Sequence, residues 1–323
     1  RRHTDSKYIT NSFPCNLGGY GHIHPIIKQL IHQDKQHPGE TENKIGLIRK
    51  GIKRGSDIGD HTLLDSLQEI LSSTNSSVKE LREHIMSDLQ NHPNILSIGG
   101  GAFINTFKLD VKGVDESIYK PFIEQLKKSH PKLISNAKIK DTRDSVIFHR
   151  LTTNITIIDR SIVTYEFKKY SSIIQFKKYL EDETELILDT YVIPVLLSIS
   201  KYPSKTFGSL IPNLSIIVFE GTYEDVSISP IHGGFSSNSD AMILLYKERG
   251  FQYEPILYRR YENHRGLIIK YVDDFKDQND TMQSIMERIQ DKIDAFINNN
   301  FIFKDTIMGV YELTQLMNQL DLP

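Results

Sequence analysis

The spacing of apolar residues changes period along the chain, and that change restricts the fold more than any other feature. Leu63, Leu64, Leu67, Ile70 and Leu71 recur three and four residues apart, the period of one buried helical face. Leu81, Ile85, Met86 and Leu89 repeat it over Val78 to Asn91, where Asn75 and the two serines after it offer caps and Pro93 a stop. Far downstream come strand-like runs at Leu214–Glu220, Ala241–Tyr246, Pro255–Tyr258 and Leu267–Val272. A polar loop, Ser236-Ser237-Asn238-Ser239, lies between the first two. Helices first and strands later predict an α+β protein whose helices pack on an antiparallel sheet joined by hairpins.

Between these blocks, about Ile98 to Ser200, the pattern predicts short strands at Ala102–Leu109 and Ile155–Asp159. It predicts helices at Ile118–Lys128, Ser172–Leu180 and Glu183–Ser198. Residues 1–43 read as a loop-rich lead-in with a short helix over Pro25–Ile31, and a small strand follows at Ile45–Ile48. Helical spacing returns through Ile285, Ile289, Ile293 and Phe296. The expected organisation is a lead-in at 1–43, a core at 44–272 interrupted by an insertion at about 103–180, and a helical tail at 273–323. No period of 20 to 50 residues marks a solenoid.

Composition narrows the function. The 323 residues carry 39 Lys+Arg and 41 Asp+Glu, 39 − 41 = −2, which argues against a wholesale basic nucleic-acid binder. The longest apolar stretch, Tyr191 to Ser198, is far below the ~20 residues a spanning helix needs, so no membrane partner is expected. Arg1 opens the chain without an apolar leader, which reads as a piece of a longer polypeptide. The single cysteine, Cys15, excludes an intrachain disulfide framework and a multi-cysteine zinc site. It suits a reducing compartment and leaves one thiol nucleophile.

One constellation carries the functional reading. The loop Gly59-Asp60-His61-Thr62 leads into the helix Leu63-Leu64-Asp65-Ser66-Leu67, and a second helix, Ser77-Val78-Lys79-Glu80-Leu81-Arg82-Glu83-His84-Ile85-Met86, comes next. The late strand Ile243-Leu244-Leu245 then leads to Gln252-Tyr253-Glu254-Pro255-Ile256. This order resembles the ovarian-tumour (OTU) branch of the papain-like cysteine proteases. There, Asp-Gly-x-Cys precedes Leu-Phe-x-Ala at the head of a buried helix, and a late hairpin delivers His-Tyr-Asp or His-Tyr-Asn. The chemistry needs a thiolate at a helix N-terminus and an imidazole within reach, oriented by a third polar group.

Matched to that pattern, Thr62 stands at the nucleophile, Gln252 at the general base and Glu254 at the orienting residue. An internal threonine facing an amide has no base with a usable pKa. The resemblance, covering roughly Lys44 to Tyr261, therefore implies a pseudo-protease: a papain-like fold kept as a scaffold or protein-binding domain. Its implied partners are other segments of the same large polypeptide or a viral complex, with ubiquitin as a further candidate. A second resemblance, to large proteins of nucleocytoplasmic large DNA viruses and to relatives of the early transcription factor large subunit, rests on several phrases. They are Pro14 to His24, Leu47-Ile48-Arg49-Lys50-Gly51, Glu220 to Pro230 and Tyr253-Glu254-Pro255-Ile256. It implies the host cytoplasm, in the viral factory, or the virion interior.

Other residues carry alternatives. Cys15 reads as an ordinary loop residue before Gly18-Gly19; the competing reading is an active cysteine protease or deubiquitinase using it with His22, His24 or His61 as base. His22, His24, His32 and His37 lack metal-site spacing and read as scattered surface groups. The run Arg49-Lys50-Gly51-Ile52-Lys53-Arg54 reads as a solvated loop, with phosphate contact through Arg49, Lys50, Lys53 and Arg54 as the alternative, which would suit a transcription-complex subunit. Gly99-Gly100-Gly101 lacks the Lys-Ser or Lys-Thr of a phosphate loop and reads as a turn. Arg143-Asp144 and His149-Arg150 read as solvated charges, and Glu220 with Glu224-Asp225 lacks a nuclease pattern. No cofactor and no metal is expected.

Overall fold

The protein is described here from a computed structural model. The described residues are 9–27, 45–52, 62–71, 77–112, 114–136, 143–153, 155–182, 187–202, 213–221, 226–228, 241–248, 252–262 and 265–269. The fold is α+β, with helices beside a mixed eight-stranded sheet.

The first two helices form where the apolar spacing places them. Helix α1 (Thr62–Ile70) buries Leu63, Leu64, Leu67 and Ile70. Helix α2 (Val78–Gln90) starts at Ser77, whose side chain accepts the Glu80 N–H at 3.2 Å. Such a cap is worth about 1 kcal/mol. The three glycines Gly99, Gly100 and Gly101 take positive φ of 58°, 65° and 94°, a run open to glycine and costly for other residues. They turn a broken 3-10 segment, Ile95–Gly101, into α3 (Ala102–Phe107).

The expected strand at Ala102–Leu109 is thus a helix. Phe103, Asn105, Phe107 and Leu109 mimic an alternating strand pattern, but Phe103, Ile104 and Phe107 share one buried helical face. The expected strand at Ile155–Asp159 is also helical. Thr156 caps it by accepting the Asp159 N–H at 3.1 Å, and α7 (Ile157–Glu181) runs on for 25 residues through the predicted Ser172–Leu180 segment. Before it come α4 (Glu116–Ser129), α5 (Pro131–Asn136) and α6 (Asp144–Thr153); after it comes α8 (Asp189–Ile199).

The strands are β1 (Ile9–Thr10), β2 (Tyr20–His22), β3 (Ile45–Lys50), β4 (Leu214–Gly221), β5 (Val226–Ile228), β6 (Ala241–Glu248), β7 (Gln252–Glu262) and β8 (Arg265–Ile269). Their order is β1-β2-β3-β7-β6-β4-β5, with β8 also on β7. The expected antiparallel sheet is mixed instead. β4 and β6 run parallel in full register from Leu214↔Ala241 to Gly221↔Glu248, because β5 and the segment after it return the chain before β6 begins. β7 pairs antiparallel with β6 over Gln252–Pro255, with β3 over Ile256–Arg260 and with β8 over Tyr258–Glu262. The lead-in is more than loop: it supplies β1 and β2, and β2 lies against β3.

Two hydrophobic clusters result. The main one joins α1, α2, α3 and α8 to Leu214, Ile216, Val218, Ile243, Leu245, Tyr253 and Leu257 of the sheet. The other lies within the insertion, among Ile118, Phe122, Ile123 and Leu126 of α4, Phe148 and Leu151 of α6, and Val163 and Phe167 of α7. Helix α7 serves both, since Phe176 and Leu180 belong to the main cluster. The tail, including Ile285, Ile289, Ile293 and Phe296, falls outside the described residues, as do the Ser236–Ser239 loop and residues 28–31 of the Pro25–Ile31 segment.

Candidate functional site

Thr62 is the first residue of α1 and is 3% exposed. The apolar face of α1 seats on β7, and two side chains fasten it there. Thr62 Oγ1 accepts the Tyr253 N–H at 3.0 Å, and Ser66 Oγ, one turn later, donates to the Tyr253 carbonyl at 3.1 Å. Both backbone groups of Tyr253 are thereby held by α1. Gln252, half-buried, is the residue before this clamp and stands opposite Glu248 of β6. The helix head and the strand start that the resemblance pairs are therefore neighbours, while the residue types there supply an alcohol and an amide. An amide has no titration that would let it take the alcohol's proton.

Glu254 is 1% exposed and fully engaged. Its Oε1 accepts the Cys15 N–H at 2.5 Å, and its Oε2 forms a buried ion pair with Arg49 Nη1. Arg49 also donates from Nε to the His22 carbonyl at 2.7 Å and from Nη2 to the Ser12 carbonyl at 3.3 Å. Its guanidinium carbon lies 5.5 Å from the Phe13 ring centre and 5.1 Å from that of Tyr246, within cation–π range. Burial pushes the Glu254 carboxyl up, and the Arg49 charge opposes that rise. The arrangement ties the lead-in to β3 and β7 through one buried charge pair.

Cys15 is 1% exposed, and its Sγ contacts the Ser12 carbonyl at 3.7 Å. Burial first, and the Glu254 charge second, push its thiol from 9.0 up to about 12. That is the reverse of an activated nucleophile, which needs an electropositive, partly exposed setting. Of the expected bases, His22 engages Arg49 through its carbonyl, and His24 Nδ1 accepts the Ile26 N–H at 3.2 Å. His61, His32 and His37 lie outside the described residues.

Arg49 and Lys50 are in β3 rather than a solvated loop. Arg49 is consumed by Glu254, and Lys50 pairs with Glu69 of α1 at 2.7 Å, so neither is offered to phosphate. Lys53 and Arg54 lie outside the described residues. Arg143 begins the turn that leads into α6, where Asp144 is the first residue and faces Lys127 at 4.0 Å. His149 and Arg150 are exposed on that helix, not at a strand edge.

A charged group that the sequence did not flag lies on the other side of β6. Lys247 Nζ reaches Asp189 of α8 at 3.1 Å and Glu220 of β4 at 3.3 Å, and it sits 5.7 Å from the Tyr253 ring centre. Burial, and Asp189 beside it, raise the Tyr253 phenol. Glu220 thus serves an ion pair; Glu224 and Asp225 lie outside the described residues. Only the parallel β4–β6 register brings Glu220 opposite Lys247, so no local pattern could have found the group.

His92 was likewise unmarked by any motif. It is 3% exposed, its Nδ1 accepts the Asn94 N–H at 3.1 Å, and its Nε2 lies 2.9 Å from Ser198 Oγ. Accepting at Nδ1 places the ring proton on Nε2, which donates to Ser198. The pair joins the end of α2 to α8 and is not a base poised on a serine.

Among the described residues, no cluster of three or more His, Cys, Asp or Glu side chains is placed to hold a metal ion. No described helix is long and apolar enough to cross a membrane. No protein-family profile, curated protein or solved structure matches the chain.

Proposed function

We propose that the chain is a catalytically inactive OTU-like domain, retained as a scaffold or protein-binding module within a larger protein of a nucleocytoplasmic large DNA virus. It acts in the host cytoplasm or the virion interior, on other segments of its own polypeptide or a viral complex. The observation that carries this reading is the clamp at Tyr253. The side chain at the nucleophile position, Thr62, accepts a backbone N–H of the strand that follows the base position, which fastens the helix to the sheet. Glu254, at the orienting position, is held by Arg49 and the Cys15 N–H instead of an imidazole. The buried, raised thiol of Cys15 speaks against the competing protease reading.

The test is incubation with ubiquitin-derived activity probes and with di-ubiquitin, beside a titration of isotope-labelled ubiquitin followed by NMR. The expected result is no covalent capture and no cleavage, with the titration deciding separately whether ubiquitin is a ligand. Capture or cleavage lost in Cys15→Ala would establish a thiol enzyme, and cleavage that survives Cys15→Ala would reveal another nucleophile. Either outcome overturns the proposal.

A further inference from the structure

The N-terminal half of α7 turns one face to the insertion core and leaves the opposite face bare. Val163 and Phe167 are buried, while Ile157 is 81% exposed, Ile158 74% and Tyr165 45%. Positions 158, 162 and 165 fall on successive turns of one face, and Lys168 and Lys169 follow on the next. Adjacent exposed isoleucines extended by a tyrosine are a contiguous apolar patch rather than scattered surface residues.

Charge identifies what covers it. Residues 103–180 carry 15 Lys+Arg and 8 Asp+Glu, 15 − 8 = +7, in a chain whose total is −2. Residues 273–323 carry 4 Lys+Arg and 10 Asp+Glu, 4 − 10 = −6. The same acidic segment holds the apolar series Ile285, Ile289, Ile293 and Phe296 at helical spacing. As a helix, that series is about 17 Å long, which matches the distance along α7 from Ile157 to Lys168. Asp159 and Glu166 border the bare face, where they would repel nucleic-acid phosphates or an anionic membrane. Arg288 and Lys292, beside the tail's apolar series, would answer them.

Reach is sufficient. Ile269, the last described residue, is paired with Tyr258 in the sheet, and the segment from there to Ile285 extends to roughly 50 Å. That exceeds the roughly 20 Å radius of gyration expected of a chain this long. A tether of this length also gives an effective concentration on the order of millimolar, which favours the chain's own tail over a separate partner.

We infer that the segment Ile285–Phe296 of this chain docks its apolar face on Ile157, Ile158 and Tyr165 of α7, with the acidic tail neutralising lysines of the insertion. The test is zero-length carbodiimide crosslinking of the full chain, prepared as an equal mixture of unlabelled and ¹⁵N-labelled protein and read by mass spectrometry. The Lys50–Glu69 pair, 2.7 Å apart, is the internal control. Crosslinks from Lys168 or Lys169 to carboxylates of residues 273–294, within single molecules, are expected. They should be lost in Ile158→Glu/Tyr165→Glu and in Ile289→Glu/Ile293→Glu while the control link persists. Absence of these links beside a formed control, links only between labelled and unlabelled copies, or links unchanged in both variants would each overturn the inference.

Discussion

Replacing Glu254 with alanine tests whether this carboxylate is a structural counter-ion. The side chains of Arg49 and Glu254 are 4% and 2% exposed, so the substitution leaves a guanidinium buried without its counter-charge. The carbonyls of His22 and Ser12 still accept from it, but they carry no formal charge. Removing one member of a buried pair costs about 3–5 kcal/mol, and the Cys15 N–H loses its acceptor as well, worth about 1–3 kcal/mol. Because both losses share one site, roughly 5 kcal/mol is expected in total, a large part of the roughly 5–15 kcal/mol that holds a domain folded. With a urea m-value of about 2.5 kcal/mol/M, the unfolding midpoint falls by about 2 M. Arg49→Met/Glu254→Leu removes both charges and should recover much of the loss, which gives a favourable coupling in the double-mutant cycle. A Glu254→Ala protein within about 1 kcal/mol of the parent, or a double variant less stable than Glu254→Ala alone, would refute the argument.

Three further outcomes follow from the same geometry. Cys15, held at about 12 against 9.0, and Tyr246, at about 12 against 10.0, both keep their protons longer when folded. Their contribution is complete below pH 9.0 and drains away as pH rises toward 12, at up to about 1.4 kcal/mol per pH unit for each group; thermal melts across that range should show the decline, and Cys15→Ala should move its onset toward 10. Burial lowers His92 from 6.5, so its contribution is complete above that value and is lost as pH falls through the folded pKa. Urea midpoints at pH 7.5 and 5 should converge in His92→Gln. A Cβ at Gly51 would overlap the Asn16 carbonyl oxygen and lie 2.7 Å from that of Cys15. Since backbone cannot move aside cheaply, Gly51→Ala should cost about 1–3 kcal/mol by chemical denaturation.

The helices of the main core were legible because their apolar spacing is local. Leu63 to Leu71 and Leu81 to Leu89 each state a buried face within one window. Ala102–Leu109 misled because four residues alternate by chance, and the deciding signal was the preceding run of left-handed glycines. Strand positions were legible, but strand direction was not. Whether β6 lies parallel or antiparallel to β4 depends on where the chain travels between Gly221 and Ala241, which no residue in either strand encodes. At the candidate site, the juxtaposition of Thr62 with the start of β7 was anticipated by element order. The Arg49–Glu254 pair was not, because its members are 205 residues apart. A local charge run made Arg49 look solvated when tertiary pairing had buried it.

Helix α7 has a mechanical consequence. At 1.5 Å per residue its 25 residues form a rod about 37 Å long, with Val163 and Phe167 rooted in one core and Phe176 and Leu180 in the other. The insertion therefore cannot unfold as a separate unit without drawing two large side chains out of the neighbouring core. Amide exchange in the two lobes should share a common opening event, and a load applied at the Ile157 end should be felt beneath the sheet.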